Sequence, residues 1–382
     1  MQTREEFEKL EVNILAPYAM KSINTHRKYQ EPQDPYRTSY QRDRDRIIHS
    51  GAFRRLEYKT QVFINHEADY YRTRLTHTIE VNQIARTIAR SLRLNEDLVD
   101  AISLAHDIGH TPFGHAGEEA LASLMHEYGG FEHNRQGLRV VDELEVRYPD
   151  FKGLNLTFET REGIVKHTTD YDVPLLDSLP EEFLPGSPTL EAQVINVADE
   201  IAYNSHDLDD GIKSGYIELS ELKKVTAWNK ISSQTPLSSQ TPPSQILQIY
   251  KTIRSLMGCQ VTDVINSTQL KIAELKIKSV EDVRQHPLIV KFSQEELSLQ
   301  NELKDFLNTH LYHHHRVVKM HNKAIRYISA LFDVYTHDPR QLPPDFRHTD
   351  DKYRATADYI AGMTDRFAQD EYERLFLPYT KM

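Results

Sequence analysis

The chain has 382 residues, 39% of them apolar and 27% charged, a globular composition with room for one large or two ordinary domains. No run approaches the roughly 20 apolar residues that span a bilayer, and the single cysteine, Cys259, excludes a disulfide framework and a cysteine-rich zinc site. The net charge of -11 argues against general coating of nucleic acid but leaves room for a local basic pocket.

Residues 1–60 read as a short helix followed by a polar and then strongly basic lead-in, YRTSYQRDRDRIIHSGAFRRLEYKTQ running just past it. The N-terminal MQTREEFEKLEV is charged and lacks an apolar signal core, so the expected location is cytoplasmic, with no membrane partner. A helical catalytic region is expected over 61–225. In it His77, Val81, Ile84, Ile88 and Leu92 share one stripe at helical spacing. Leu98, Ile102 and Ala105 form a second stripe that His106 continues, and Ala192, Ile195 and Ala198 form a third that leads to Asp199. Gly109, Pro112 and Gly114 are read as ending the helix that carries His106, with a loop over 110–115 and a new helix near Gly117-Glu118. Residues 148–160 and 171–188 read as loop. The SSQTP repeat at 232–243 marks a flexible linker or insertion over 226–245. Helical patterning returns over 246–336 and again from 350, so 246–382 is expected to be a helical C-terminal region completing the fold. Strand-like alternation is scarce, and the predicted class is mainly α.

His77, His106, Asp107 and Asp199 all fall on inward helix edges. A lone histidine there is ordinarily a satisfied core residue. Two buried carboxylates beside two such histidines need a common partner, because an unpaired buried charge is costly. A mixed nitrogen and oxygen set suits magnesium or a first-row ion (manganese, iron, cobalt, nickel or zinc), and the set does not choose among them. An ion held this way with open positions can activate water against phosphorus.

Around this set, His115 and Glu118 are three apart at a helix start. They read equally well as a carboxylate-oriented proton donor or as a loop residue beside a first-turn acid. His106 and His110 mimic the zinc-protease spacing, but Asp107 and Gly109 argue against that site. Asp199, Tyr203 and Asp207 share a helix face, so Tyr203 can reach a phosphate oxygen and Asp207 a sugar hydroxyl; the alternative makes Asp207–Asp210 a solvated acidic helix end. Among Arg42, Arg44, Arg46, Arg54, Arg55, Lys59, Arg72 and Arg74, the last lies one turn from His77 and is the expected anion contact. The others are left as structure or triphosphate contacts. The three histidines His313, His314 and His315 read as a partly exposed helical stretch that cannot chelate one ion together.

The runs DRDRIIHSGAFRRLEYKTQVF, YRTRLTHTIEVNQIARTIAR, LAHDIGHTPFGHAGEEAL, FEHNRQGLRVV and NVADEIAYNSHDLDDGI resemble the bacterial deoxyguanosine-triphosphate and dNTP triphosphohydrolases of the HD superfamily. The resemblance is strong over about 30–220 and weak in the C-terminal third. It implies an α-helical HD fold and hydrolysis of a dNTP, dGTP among them, to deoxynucleoside and triphosphate. It makes His77, His106, Asp107 and Asp199 the ligands of a divalent metal and His115 the catalytic acid, with Glu118 as its carboxylate partner. It also implies phosphate contacts from His110 and His133, and an α-phosphate contact from Arg74 with Tyr203 alongside. Gln61 and Asp207 would read the sugar 3′ hydroxyl, and Tyr312 would stack under the deoxyribose. Glu200 stands where the mammalian sterile-alpha-motif relative has a phosphate-binding lysine, so that contact does not transfer. A homo-oligomer, tetramer or hexamer, and a second, allosteric dNTP are further implications. The alternatives are another HD phosphohydrolase (a 5′-deoxynucleotidase or guanosine-polyphosphate hydrolase) or a dNTP sensor binding single-stranded nucleic acid.

Overall fold

Apolar residues at intervals of three and four, interrupted by Gly, Pro and capping side chains, generate an all-helical architecture. The computed structural model describes residues 2–61, 72–168, 179–183, 186–234, 245–347 and 350–378. The helices of its first half are α1 (Arg4–Ile14), α2 (Ser39–Ile48), α3 (Gly51–Arg55), α4 (Arg74–Ser91), α5 (Glu96–Ala105), α6 (His115–Leu124), α7 (His133–Arg139), α8 (Phe158–Val165) and α9 (Leu190–Lys213). The second half adds α10 (Leu219–Leu222), α11 (Thr226–Gln234), α12 (Gln245–Leu275), α13 (Val280–Gln285), α14 (Gln294–Leu307), α15 (His315–His337), α16 (Lys352–Ala361) and α17 (Asp365–Phe376). Only two isolated β-bridges occur among the described residues, Arg27 with Thr157 and Thr60 with Thr73. No helix among them is long and apolar enough to cross a membrane.

Helices α4, α5 and α9 carry the proposed ligands, and each starts on a capping side chain. Thr73 accepts from the Thr76 amide, Asn95 from the amides of Asp97 and Leu98, and Thr189 from that of Ala192. Their predicted stripes are buried. Val81, Ile84 and Ile88 meet Leu98 and Ile102, and Ile195, Ala198 and Ala202 of α9 close the same core. A second core joins α6 to the C-terminal helices α15 to α17 through Leu121, Ile328, Phe332, Ile360 and Ala368. A third packs the far end of α9 against α11, α12 and α14, with Leu208, Trp228, Ile253 and Leu307. The C-terminal helices therefore share cores with the first half of the chain.

Several expectations change. The residues expected to open a linker, 226–234, form α11, because Ala227, Trp228 and Ile231 bury one side of it in the third core. Residues 235–244 of that segment lie outside the described residues, as do 171–178 and 184–185 of the second predicted loop. Helix α5 ends at Ala105, before the glycines, and α6 begins at His115. The triple histidine is a break, not a helical stretch: a π-helical turn over Asn308–Tyr312 ends there, His314 occupies the N-cap position of α15, and its ring stacks on Tyr216 at 4.0 Å. The acidic run on α9 is not solvated. Asp207, Asp209 and Asp210 are buried, and Arg72 binds Asp209 at 3.0 Å and Asp210 at 2.8 Å. The Arg-Asp alternation in α2 is partly internal as well: Asp43 is fully buried, taking Arg27 at 2.6 Å and the Thr157 amide at 2.9 Å.

Candidate active site

The C-terminal end of α5 brings His106 and Asp107 against His77 from the first turn of α4 and Asp199 from the middle of α9. His77 Nε2 stands 2.8 Å from Asp199 Oδ1 and 3.9 Å from Asp107 Oδ2. His106 Nε2 stands 3.6 Å from Asp107 Oδ1 and 3.9 Å from Asp199 Oδ1. The four residues named from helical stripes thus come together, His77, His106 and Asp107 with ligand atoms within 4.8 Å of one another and Asp199 against both histidines.

Hydrogen bonding fixes what they present there. His106 Nδ1 lies 2.6 Å from the Ser103 carbonyl, which can only accept, so Nδ1 carries the proton and Nε2 a lone pair. That buried Nε2 has no hydrogen-bond partner, and neither does Asp107 Oδ2. Native interiors rarely leave such atoms unsatisfied. Burial alone would raise the Asp107 carboxyl, but Arg74, His106 and His110 outweigh it and hold the group well below the usual carboxylate range. Asp199 is likewise held low, burial being outweighed by hydrogen bonds from His167 and His77. Burial pushes His106 down, toward the neutral form a ligand needs. Ligand atoms bonded to one ion at about 2.1 Å stand roughly 3.0–3.4 Å apart. The observed separations therefore close around a divalent cation with small shifts, and the residues present fit one.

Arg74 is the largest fully buried side chain among the described residues. Its Nη1 donates to Asp107 Oδ1 at 2.9 Å, while Nε and Nη2 have no hydrogen-bond partner. Gly114 makes room for it. A Cβ at that position would come within 3.4 Å of both Arg74 Nη2 and the Gln61 carbonyl, and its φ of +59° is one that glycine adopts freely. Gln61 is buried beside it with Oε1 unpartnered. The turn at Phe113-Gly114 is held from the C-terminal region. Asp365 accepts from the Phe113 amide at 2.8 Å and the Thr60 amide at 2.8 Å, and Lys59, buried nearby, donates to the His110 and Ala361 carbonyls.

A second cluster adjoins the first. His110 Nε2 lies 3.2 Å from Asp107 Oδ1, and its ring stacks on His133 at 3.9 Å. Glu118 accepts from His133 Nδ1 at 2.9 Å and from the His133 amide at 2.8 Å. Glu118 thus anchors His133. Its carboxyl is held low against burial mainly by His133, with His110 and then His115 adding to the effect. His115 is exposed at the start of α6, its ring 5.9 Å from His110. On the other side, the π-helical turn delivers Tyr312 to α9. Its hydroxyl donates to Asp207 Oδ2, and its ring lies 6.1 Å from Tyr203. Burial pushes the Asp207 carboxyl up to about 8, so it is neutral at pH 7.

Sequence reasoning missed His167, whose Nε2 stands 3.2 Å from Asp199 Oδ2 beside the His106 ring. It follows buried Ile164 and Val165 at the end of α8, the same apolar-stripe-then-histidine signal that singled out His106. It missed Asp365 too, for which no local signal exists. Glu200, the position at odds with the mammalian relative, meets Lys304 of α14.

The class of protein follows from this helical frame and its His-Asp cluster: a family model described as HD domain matches residues 74–204, and one described as phosphohydrolase-associated domain matches 290–374. Proteins named deoxyguanosinetriphosphate triphosphohydrolase-like protein are similar over nearly the whole length. The one from Ralstonia pickettii is 53% identical over 95% of this chain and 94% of its own, and the one from Geobacter sulfurreducens is 49% identical over 100% of both. A hypothetical protein of known structure from Aquifex aeolicus is 18% identical over 79% of each chain with a TM-score of 0.29, a likeness that carries no argument. The chain belongs to the deoxyguanosinetriphosphate triphosphohydrolase-like family of HD-domain proteins.

Proposed function

We propose that the chain hydrolyses deoxynucleoside triphosphates, dGTP among them, to deoxynucleoside and inorganic triphosphate by cleavage at the α-phosphorus. One observation carries the reading. A buried guanidinium with unpartnered donors lies beside a buried imidazole nitrogen and carboxylate oxygen that also lack partners. A cation and a phosphate bound side by side would satisfy all of them. The names of the relatives support the same substrate class.

His77, His106, Asp107 and Asp199 would hold the ion, which when bound supplies Lewis acidity and a more acidic water. Arg74 binds oxygens of the α-phosphate through Nη2 and Nε, and its bond to Asp107 fixes it before substrate arrives. His110 and His133 line the phosphates. Water attacks phosphorus, the bond to the 5′ oxygen breaks, and His115 delivers a proton to that oxygen. Glu118 places a negative charge near His115. Asp207, held neutral, offers both a donor and an acceptor to the 3′ hydroxyl, with Gln61 opposite and the Tyr312 and Tyr203 rings alongside the sugar.

Product analysis tests this. Each dNTP and rNTP is incubated with the protein and magnesium, manganese or cobalt, beside a His106→Ala/Asp107→Ala control. Deoxynucleoside plus intact triphosphate, absent from the control, is expected. Monophosphate or diphosphate products would overturn the cleavage position.

A further inference from the structure

Behind His77 runs a chain of polar contacts that the proposed chemistry does not use. His77 Nε2 faces Asp199 and Asp107, while its Nδ1 lies 3.4 Å from His206 Nδ1, the two rings edge to face at 5.3 Å. His206 is itself buried, one residue before Asp207 on α9, and its Nε2 meets Glu80 Oε2 from the second turn of α4. Glu80 is steadied by Arg72 Nε at 3.2 Å, and the same guanidinium is tied to Asp209 and Asp210.

We infer that Glu80 and His206 are positioning residues that fix the tautomer and ring orientation in which His77 binds the metal ion. The inference rests on the ligand role given to His77 above. A carboxylate can only accept, so the His206 atom facing Glu80 carries a proton. In a neutral imidazole the other nitrogen, Nδ1, then has the lone pair and accepts. The proton between the two histidines therefore belongs to His77 Nδ1, so Nε2, which faces Asp199 and Asp107, is the nitrogen through which His77 would bind an ion. The relay thus arranges the site for an ion, in the way a carboxylate or carbonyl behind a ligating histidine does elsewhere. His106 obtains the same result from a backbone carbonyl, that of Ser103. A side-chain relay from α9 does for His77 what the backbone does for His106.

The test is the affinity of the chelator-stripped full chain for Mn(II), read as free ion by electron paramagnetic resonance during titration. Glu80→Ala and His206→Ala are expected to weaken Mn(II) binding about 10- to 100-fold. His206→Asn, whose amide oxygen can still accept from His77 Nδ1, is expected to recover part of the loss. Thermal melting of each stripped variant reports folding, and the rise in melting temperature on adding Mn(II) should shrink in step with affinity, which a purely structural defect would not produce. Affinities within twofold of wild type in both alanine variants would overturn the relay. The His106→Ala/Asp107→Ala protein separates the two readings. If it binds Mn(II) normally, the ligand assignment itself fails. If it loses the ion while the Glu80 and His206 variants keep it, only the relay fails. Should an alanine variant not melt cooperatively, His206→Phe and Glu80→Leu, which keep much of the volume but cannot accept a hydrogen bond, decide: affinity within twofold of wild type in both overturns the relay, and weakened affinity supports it.

Discussion

Asp207 is 1% exposed, accepts the Tyr312 hydroxyl, and is pushed by burial to a pKa of about 8 from an ordinary value of 3.8. Between those two values the folded chain keeps a proton that the unfolded chain releases. The resulting stability is full below about pH 4 and is lost as pH rises toward 8. Each pH unit in that window corresponds to about 1.4 kcal/mol, or on the order of 5 kcal/mol across it. Replacing Asp207 by Asn keeps the shape, one acceptor and one donor group of the neutral acid but removes the titration. The stability of Asp207→Asn minus that of wild type should therefore grow with pH, by roughly 4 kcal/mol between pH 5 and pH 8. Urea unfolding of both proteins at four pH values in that range, extrapolated linearly to zero denaturant, measures the difference. All other titrating groups are common to the two chains and cancel. A difference that is the same at pH 5 and pH 8 would mean that Asp207 is ionised in the folded protein, and the neutral-acid role at the sugar hydroxyl would fall with it.

Gly109→Ala should lower both melting temperature and activity, because its Cβ would stand 2.0 Å from the His133 carbonyl and 2.2 Å from the Gly137 amide nitrogen; overpacking of this kind costs about 1–3 kcal/mol or more, and unchanged melting would show that the turn does not pack this closely against α7. His115→Ala should cut kcat about 10²- to 10⁴-fold with KM within a few-fold, as loss of a general acid does, and full turnover would remove His115 from the mechanism. Trp228→Ala should cost about 3–5 kcal/mol in chemical unfolding, since the side chain is 4% exposed in the core of α11, α12 and α14. A change below about 1 kcal/mol, as for a surface substitution, would return residues 226–234 to the linker first expected there.

The N-terminal basic stretch illustrates what a local pattern leaves open. Arg42, Arg44 and Arg46 read as structure or as triphosphate contacts, and they form ion pairs: Arg46 and Arg42 both reach Glu31, at 2.6 Å and 3.1 Å, and Arg44 lies 3.1 Å from Asp45. Charge alternation says that ion pairs will form; it does not say whether a helix face turns inward. The SSQTP repeat misleads, because its polarity hides the buried face of the helix immediately before it.

The amino-acid sequence by itself determined the helical class, the buried stripes of α4, α5 and α9, and the presence of His77, His106, Asp107 and Asp199 on their inward edges. A period of 3.6 residues is a local property, and capping residues and glycines mark its limits within a few positions. Tertiary structure alone decided which of those edges meet. It brought Tyr312 onto Asp207 from 105 residues away, Asp365 onto Thr60 from 305 away, His167 onto Asp199, and Glu80 and His206 behind His77. Contacts of that kind depend on how helices cross in four separate cores. Crossing geometry is a sum over many side chains of both partners, so no single stretch of sequence carries it.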